Sequence, residues 1–428
     1  MYLALFLALS LACGQLGAET SVKQQAEKDI QSKRYDQLGR LIKRNLGDKI
    51  TLTELQAIAK EHNAQPVLDA IDATRKIKKY HTNLSLKRSD IMQTALFIET
   101  ALPKLVKKKK TFLSKNRSGL AHAVEYDPEL KSSFIVLDSK DTFIGAGAYK
   151  KVYKAIHYNH TNKHPKVVAR AVQKTKQTRE HAITKKMHGA PGLFETVGFG
   201  CYRQRSKHYR TIYSKLYRPG SLHSVLEKRT HLSLYEKMKI ASDILKGLSA
   251  LHKKGIVHRD LGARNYFVDI PKGRPGRREV KACIADLGRA TQAKKAGNTK
   301  VQGNTKYTAP EGLYRRNMHG KEYYKADVYA VGCVLYWLFH GKMAHWQDRS
   351  YVKDAKGSLY HRYKQLRNRI KHGTKWRRQY LVQKGSKKTA KEYFEQMILQ
   401  MLHTTARKRG TAHELSKRMD KIFEAAYG

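Results

Sequence analysis

The most informative segment of the sequence for its fold is His258-Arg259-Asp260-Leu261-Gly262-Ala263-Arg264-Asn265. Three motifs follow it, in the order Asp286-Leu287-Gly288, Ala309-Pro310-Glu311 and Asp327-Val328-Tyr329-Ala330-Val331-Gly332. A glycine-rich segment, Gly145-Ala146-Gly147-Ala148-Tyr149, precedes them between two β-like runs. Glycines there let backbone N–H groups approach phosphates closely, although such a hairpin alone is weak evidence. Its weight comes from the motifs that follow in order.

The four downstream motifs resemble those of the eukaryotic-type protein kinase family, with D-L-G in place of D-F-G. The resemblance covers about residues 133–425. It implies an α+β, bilobal fold, with a small β-rich lobe at about 133–217, a larger helical lobe at about 218–425 and a cleft between them. The sequence texture agrees, because short apolar runs separated by glycines give way after about Leu232 to helical periodicity.

The resemblance also implies a chemistry, the transfer of the γ-phosphate of ATP to a serine, threonine or tyrosine hydroxyl of a protein. Phosphoryl transfer depends mainly on positioning and on charge neutralisation. Asp260 would orient the acceptor hydroxyl and accept its proton. Asn265 and Asp286 would supply the hard oxygen ligands that Mg²⁺ prefers.

A larger group of residues is expected around the nucleotide. Val152 and Phe267 would enclose the adenine, and Ser214 would lie behind it, if Gly220-Ser221-Leu222 aligns with the family's G-S-L. The predicted nucleotide-binding residues are Gly145, Ala146, Gly147, Lys150, Val152, Arg170, Ser214, Lys215, Tyr217 and Phe267.

The lysine that the family places on a neighbouring strand is missing. The segment expected to match V-A-I-K is Val167-Val168-Ala169-Arg170, and arginine is not equivalent to lysine at a tight phosphate site. Lys150 replaces the third glycine of the hairpin, which is similar to the arrangement in the With-No-lysine kinases. Either Lys150 or Arg170 is therefore expected to bind phosphate, and Glu180 to hold that cation.

The motifs leave the acceptor residue open. Gly262 stands where serine/threonine kinases usually carry lysine, and Arg264 completes a D-L-x-A-R-N loop like that of tyrosine kinases. The segment Gly303 to Glu311, GNTKYTAPE, is instead close to the serine/threonine pattern. The predicted catalytic residues are Asp260, Lys150, Arg170, Glu180 and Arg264.

Two further arginines are expected to pair with anionic groups. Arg259 is the kind of residue that pairs with a phosphorylated activation-segment residue, for which Thr299 is the preferred candidate. Arg409 matches the late arginine that pairs with the A-P-E glutamate, here Glu311.

The charge is strongly positive, because 86 Lys and Arg face 35 Asp and Glu, giving a net charge of +51. Such a chain must meet something acidic, and an acidic protein substrate is one candidate. Basic insertions, PKGRPGRREV and HRYKQLRNRIKHGTKWRRQY, could hold nucleic acid or an anionic membrane surface, although a solvated face is favoured. The alternative to an active kinase is a pseudokinase that binds nucleotide or a partner and acts as a basic scaffold.

The first part of the chain lies outside the resemblance. Residues 1–18 have the apolar run and small residues of a signal-peptide-like leader, and residues 19–130 are predicted to be an all-helical region. The leader predicts export or secretion, whereas ATP and free cysteines suit a reducing cytosol. An exported effector that acts in the cytosol of another cell would reconcile the two.

Overall fold

The computed structural model describes residues 20–80, 84, 86–100, 112–113, 120–137, 139–147, 150–159, 165–175, 178–204, 206–296, 305–314, 318, 320–343, 389–403 and 405–427. The chain forms two compact units. The sheet unit comprises Met1–Lys176 and Thr196–Lys215, and the helical unit comprises Gln177–Glu195 and Leu216–Gly428.

The sheet unit begins with the predicted helices. Helices α1 to α5 span residues 20–31, Tyr35–Asn45, Leu52–Glu61, Gln65–Tyr80 and Arg88–Thr100. Thr51 caps α3, because its side chain accepts the backbone N–H of Glu54 while the Glu54 carboxylate accepts that of Thr51. This reciprocal pair satisfies two N–H groups that would otherwise lack partners. Leu38 and Ile42, four residues apart on α2, lie on the same face of the helix and are buried in the core.

An eight-stranded antiparallel sheet follows. Strands β1 to β8 span Phe112–Leu113, Ala123–Asp127, Ser132–Val136, Phe143–Ala146, Lys150–Asn159, Lys166–Lys174, Thr196–Gln204 and Lys207–Lys215. Their order is β1-β2-β3-β5-β6-β8-β7, with β4 paired to β5. The sheet curls until its ends meet, because the backbone N–H of Phe199 on β7 donates to Asp127 on β2 at 2.7 Å. Phe112 on β1 also stacks on Tyr202 of β7, with ring centroids 4.0 Å apart.

Helices and sheet share one apolar core. Side chains of α2 to α5 pack with Val124, Ile135 and Ile156, which lie on β2, β3 and β5. The predicted all-helical region of residues 19–130 therefore also contains β1 and β2. These strands are too short to show a period of two, and their pairing partners lie farther along the chain.

The helical unit contains the remaining elements. Strands β9 to β13 span Pro219–Ser221, Ile256–Val257, Tyr266–Asp269, Lys281–Ile284 and Thr291–Gln292. Helices α6 to α12 span Arg179–Lys186, Leu222–Glu227, Leu234–Lys253, Pro310–Tyr314, Glu322–His340, Ala390–Met401 and Ala412–Tyr427. Its core lies around α8 and α10, whose apolar faces are fully buried.

Residues 177–195, predicted to belong to the small lobe, are part of the helical unit. Backbone hydrogen bonds explain this placement, because Ile284 N–H donates to Gly192 at 2.8 Å and Phe194 N–H donates to Ile284 at 3.0 Å. Among the helices that the structure describes, no helix has the length and apolar character to span a membrane.

Candidate active site

One buried carboxylate fixes the predicted catalytic loop. Asp327 on α10 is 2% exposed and accepts the backbone N–H groups of His258 at 2.8 Å and Arg259 at 2.9 Å. His252 Nε2 also lies 3.2 Å from Asp327 Oδ2. These bonds hold Arg259 at a φ of 68°, a conformation that few non-glycine residues adopt. The backbone immediately before Asp260 is therefore set by Asp327.

Asp260, the predicted proton acceptor, is fixed by hydrogen bonds of its backbone N–H and carbonyl groups. Its N–H donates to His258 Nδ1 at 3.3 Å, and His258 Nε2 lies 3.0 Å from the carbonyl oxygen of Ala285. Asn265 Nδ2 donates to the Asp260 carbonyl at 2.7 Å. The Asp260 side chain is 26% exposed, so the carboxylate stays accessible to an acceptor hydroxyl.

The two predicted metal ligands lie at the same end of one strand pair. Tyr266 on β11 pairs with Ile284 on β12, and the backbone N–H of Ala285 donates to Asn265 at 2.8 Å. Asp286 follows at a φ of 56°, and its exposed carboxylate accepts the N–H of Gly288 at 3.3 Å.

This donor set fits Mg²⁺. Because Asn265 uses Nδ2 as a donor to the loop, its amide oxygen is the atom left for a cation. The ion's preferred ligands are carboxylate and amide oxygens, which Asp286 and Asn265 provide.

The predicted adenine residues of the helical unit lie together. Tyr217 and Phe267 stack with ring centroids 5.9 Å apart. The Tyr217 hydroxyl accepts the backbone N–H of Glu195 at 2.9 Å, and burial raises the pKa of that hydroxyl. Tyr217 is therefore a fixed neutral surface beside Phe267.

The turn after Asp286 carries a contact that sequence analysis missed. Arg289 lies in a 3₁₀ turn, and its Nε is 3.5 Å from Asp260 Oδ2. The Arg259 guanidinium donates twice to the Arg289 carbonyl, at 2.9 and 2.7 Å. Arg179 at the start of α6 donates to the neighbouring carbonyl of Gly288 at 3.3 Å. Two arginine side chains thus hold the turn that brings Arg289 to the Asp260 carboxylate.

The absence of a side chain at Gly262 has a steric explanation. A Cβ at this position would lie 3.1 Å from two ring carbons of Tyr307, so the Tyr307 ring occupies the space beside the loop. A lysine, which serine/threonine kinases usually carry here, would need Tyr307 to move. Arg264, two residues later in a 3₁₀ turn, is exposed.

The predicted ion pair between Arg409 and Glu311 is confirmed. Arg409 Nη1 and Nη2 donate to the two Glu311 oxygens at 2.6 and 2.7 Å. Arg409 is 0% exposed and lies 4.9 Å from the centroid of the Tyr329 ring. A bidentate pair in this setting anchors the A-P-E segment to α10.

In the sheet unit, three of the predicted nucleotide residues, Lys150, Val152 and Ser214, lie on one face of the sheet. Val152 pairs with Ala171, and Ser214 pairs with Ala169, so all four share a face of the sheet. Lys150 lies two residues before Val152 and shares this face as well.

The glycine-rich hairpin leads into this face. A Cβ added at Gly145 or Gly147 would meet no atom within 4 Å, so the backbone there is open to a close approach. Ala146, on β4 between the two glycines, is exposed.

Arg170 lies on the opposite face, which contradicts its predicted role. It pairs with Tyr213, is 1% exposed, and donates from Nε to the Tyr213 hydroxyl at 3.1 Å. Its Nη2 donates to the Tyr202 hydroxyl at 3.2 Å. The residue that shares the face of Val152 and Ser214 is Ala171, one position later. The strand therefore aligns as Val168-Ala169-Arg170-Ala171, with alanine at the lysine position.

A buried glutamate explains why an arginine is present on this inner face. Glu125 Oε2 lies 3.8 Å from Arg170 Nε and accepts hydrogen bonds from Tyr213 at 2.6 Å and Thr211 at 2.8 Å. Glu125 is 0% exposed, and burial raises its pKa, an effect that the charge of Arg170 opposes. Arg170 is thus a structural cation.

The remaining predicted residues lie in separate elements. Glu180 is half-buried in the first turn of α6, and Lys215 is the last residue of β8. Thr299, the preferred phosphorylation candidate, lies outside the described residues, as do the leader of residues 1–18 and the basic stretch of residues 361–380.

Comparison with known proteins agrees with this geometry. The chain is 29% identical to the MAP kinase-interacting serine/threonine-protein kinase 1 of Xenopus tropicalis over 47% of this chain and 49% of that protein. It is 27% identical to a probable serine/threonine-protein kinase PLK of Dictyostelium discoideum, over 47% of this chain and 19% of that protein. It is 31% identical to a dual specificity testis-specific protein kinase 2 of Rattus norvegicus, over 48% of this chain and 35% of that protein.

The aligned region thus spans about half, or less, of the length of these relatives. A model of the protein kinase domain matches residues 139–419, which include the glycine-rich hairpin, Asp260, Asn265, Asp286 and the Glu311–Arg409 pair. Because that match covers most of the chain, the chain belongs to the protein kinase domain family.

Proposed function

We propose that the protein is a kinase that transfers the γ-phosphate of ATP, with Mg²⁺, to a serine, threonine or tyrosine hydroxyl of a protein. The observation that carries this proposal is the catalytic loop fixed by Asp327, which presents Asp260 and Asn265 together.

Each residue has a physical task in this proposal. Asp260 accepts the hydrogen bond of the acceptor hydroxyl, orients it, and takes its proton as the new bond forms. Asn265 and Asp286 hold Mg²⁺, which supplies charge neutralisation for the phosphate oxygens when bound. Tyr217 and Phe267 provide flat apolar surfaces for the base.

Lys150 is the proposed phosphate-binding cation. It shares the sheet face of Val152 and Ala171, whereas Arg170 is buried on the other face with Glu125. A lysine ammonium on this face replaces the charge that Ala171 cannot supply. The glutamate proposed to orient it is Glu180.

The test is phosphate transfer from radiolabelled Mg²⁺-ATP to peptides that contain serine, threonine or tyrosine. Wild type should label at least one class, and Asp260→Asn should lose about 10³-fold or more in kcat while it still binds nucleotide. The proposal would be contradicted if wild type, at saturating Mg²⁺-ATP, labelled neither the peptides nor itself.

A second candidate is a pseudokinase that binds nucleotide without transferring phosphate. The observation that favours it is Ala171 at the position where the family carries its strand lysine. Nucleotide binding in calorimetry, together with no labelling of any substrate, would support this function instead.

The signal-like character of residues 1–18 supports a further proposal, that the protein is exported and acts as a secreted effector. Amino-terminal sequencing of the protein recovered outside expressing cells tests it. A mature terminus near residue 19 is expected, and an intact first residue on protein retained in the cytosol would contradict it.

A further inference from the structure

Two arginines, Arg289 and Arg264, lie beside Asp260 or on the same loop. Arg289 Nε lies 3.5 Å from the Asp260 carboxylate, and the Arg289 side chain is 40% exposed. Arg264 is exposed on the loop itself, and no ion pair joins it to an acidic side chain among the described residues. Arg264 is therefore an exposed cation on the loop, and Arg289 is a partly exposed cation that contacts Asp260.

Lys306 adds to this group. It immediately precedes Tyr307, whose ring packs on Gly262 of the catalytic loop. Burial is the main cause that lowers the pKa of His223 on α7; the Glu227 carboxylate opposes this shift, and the positive charges of Arg264 and Lys306 add to it. Two cations from distant parts of the sequence thus act on the same point of the helical unit.

The acidic side chains nearby are mostly engaged. Glu227, 60% exposed, contacts His223 at 3.0 Å, and Glu311 is bound to Arg409. Asp327 is buried against the loop backbone, and Asp286 lies at the proposed metal site. None of these carboxylates forms an ion pair with Arg264 within the described part of the chain.

The position of Arg289 is built into the fold. Arg259 and Arg179 donate to the carbonyls of Arg289 and Gly288, so the turn is held from two sides. The Arg289 side chain must leave Asp260 when an acceptor hydroxyl takes its place. A carboxylate carried beside that hydroxyl would give Arg289 a new partner of the same kind.

We propose that the acceptor segment of the substrate is acidic, with carboxylate side chains beside the acceptor hydroxyl that bind Arg289, Arg264 and Lys306. This inference rests on the proposed kinase function and adds the substrate class. Exposed ion pairs are individually weak, so the selectivity comes from several cations acting together and weakens with salt.

The experiment measures kcat/KM on matched peptides whose acceptor is flanked by Glu, Ala or Lys. The order Glu, then Ala, then Lys is expected, with about three- to tenfold between Glu and Ala peptides at low salt. The double variant Arg289→Gln/Arg264→Gln should reduce that ratio to near one. Arg274→Gln is the matched control, because Arg274 is exposed in the hairpin beyond the other end of the β11–β12 pair. It should keep the wild-type ratio.

A second measurement does not require catalysis. Binding of a Glu-flanked peptide whose acceptor is replaced by alanine is followed by fluorescence anisotropy, and the double variant should weaken it by the same factor. Equal rates on all three peptides, or an Arg289→Gln variant that is faster on all of them alike, would overturn the inference and leave the kinase function intact. Failure to phosphorylate any peptide would count against the proposed function, while salt-sensitive binding of only the acidic peptide would still support the acidic partner.

Discussion

Arg170 and Glu125 form a buried ion pair inside the curled sheet, with Nε 3.8 Å from Oε2 and side chains 1% and 0% exposed. Burial raises the pKa of Glu125, and the Arg170 charge acts in the opposite direction. The tyrosine hydroxyl of Tyr213 bonds to both partners. The Arg170 charge, which the sequence predicts as a phosphate ligand, instead holds strands β2, β6 and β8 together.

Replacing Arg170 with Met should destabilise the protein by about 3–5 kcal/mol at neutral pH, because Glu125 is left buried without its partner. The loss should depend on pH. A carboxyl whose folded pKa lies above its unfolded value of about 4.5 loses stability as pH rises through the folded value. Removing Arg170 raises the folded pKa further, so Arg170→Met should be much closer to wild type at pH 5 than at pH 8.

Denaturant unfolding at both pH values measures this difference. Arg203→Met is the control, since Arg203 is exposed on β7 of the same sheet and should cost little at either pH. Adding Glu125→Gln to Arg170→Met should flatten the pH dependence. An Arg170→Met variant equally stable at pH 5 and pH 8 would contradict the role given to Glu125.

The surroundings of Asp260 could be predicted from sequence, whereas the position of Arg170 could not. Asp260, Asn265 and Asp286 lie in short motifs whose local backbone fixes their relation, so their neighbourhood could be predicted. Arg170 could not, because a shift of one residue along a strand moves every side chain to the opposite face. The period of Val167-Val168-Ala169-Arg170 does not specify the face, whereas the pairing of Arg170 with Tyr213 does.

Contacts between distant segments were also beyond prediction. Arg289 and Asp260 are close because two other arginines hold the intervening turn, and no motif encodes that contact. Strands β1 and β2 are likewise defined by the strands they pair with rather than by their own sequence. The Arg409–Glu311 pair was predictable only because both residues match family motifs.

Asp327→Asn should reduce phosphate transfer by about 10²-fold or more, because an amide oxygen replaces the two carboxylate oxygens that fix His258 and Arg259. Nucleotide binding should change less, since Asp327 is buried and bonds to the backbone of His258 and Arg259. Single-turnover kinetics and nucleotide calorimetry separate the two effects. An Asp327→Asn variant with wild-type kcat would show that the loop holds its conformation without the carboxylate.

Arg409→Lys should destabilise the helical unit nearly as much as Arg409→Met, by about 3 kcal/mol or more. Arg409 makes four hydrogen bonds, to the two Glu311 oxygens and to the carbonyls of Lys325 and His403, whereas a lysine ammonium has only three donors, all on one atom. Thermal unfolding of the two variants compares them directly. Arg418→Lys, on the partly exposed α12, is the control and should unfold like wild type. An Arg409→Lys variant as stable as wild type would show that the positive charge alone, and not the bidentate geometry, stabilises this contact.

Lys150→Met should reduce kcat/KM for phosphate transfer by about 10²-fold, because the sheet face of Val152 and Ala171 then lacks the cation that Ala171 cannot replace.

Lys151→Met is the matched control. Lys151 is the next residue, is exposed, pairs with Val172 and lies on the opposite face of β5, so the same loss of charge should change the rate less than about twofold. Thermal unfolding of both variants should match wild type, because neither lysine is buried. Equal rate losses in the two variants would mean that net charge, rather than the position of Lys150, governs transfer. A Lys150→Met variant as active as wild type would show that Lys150 does not bind the phosphate.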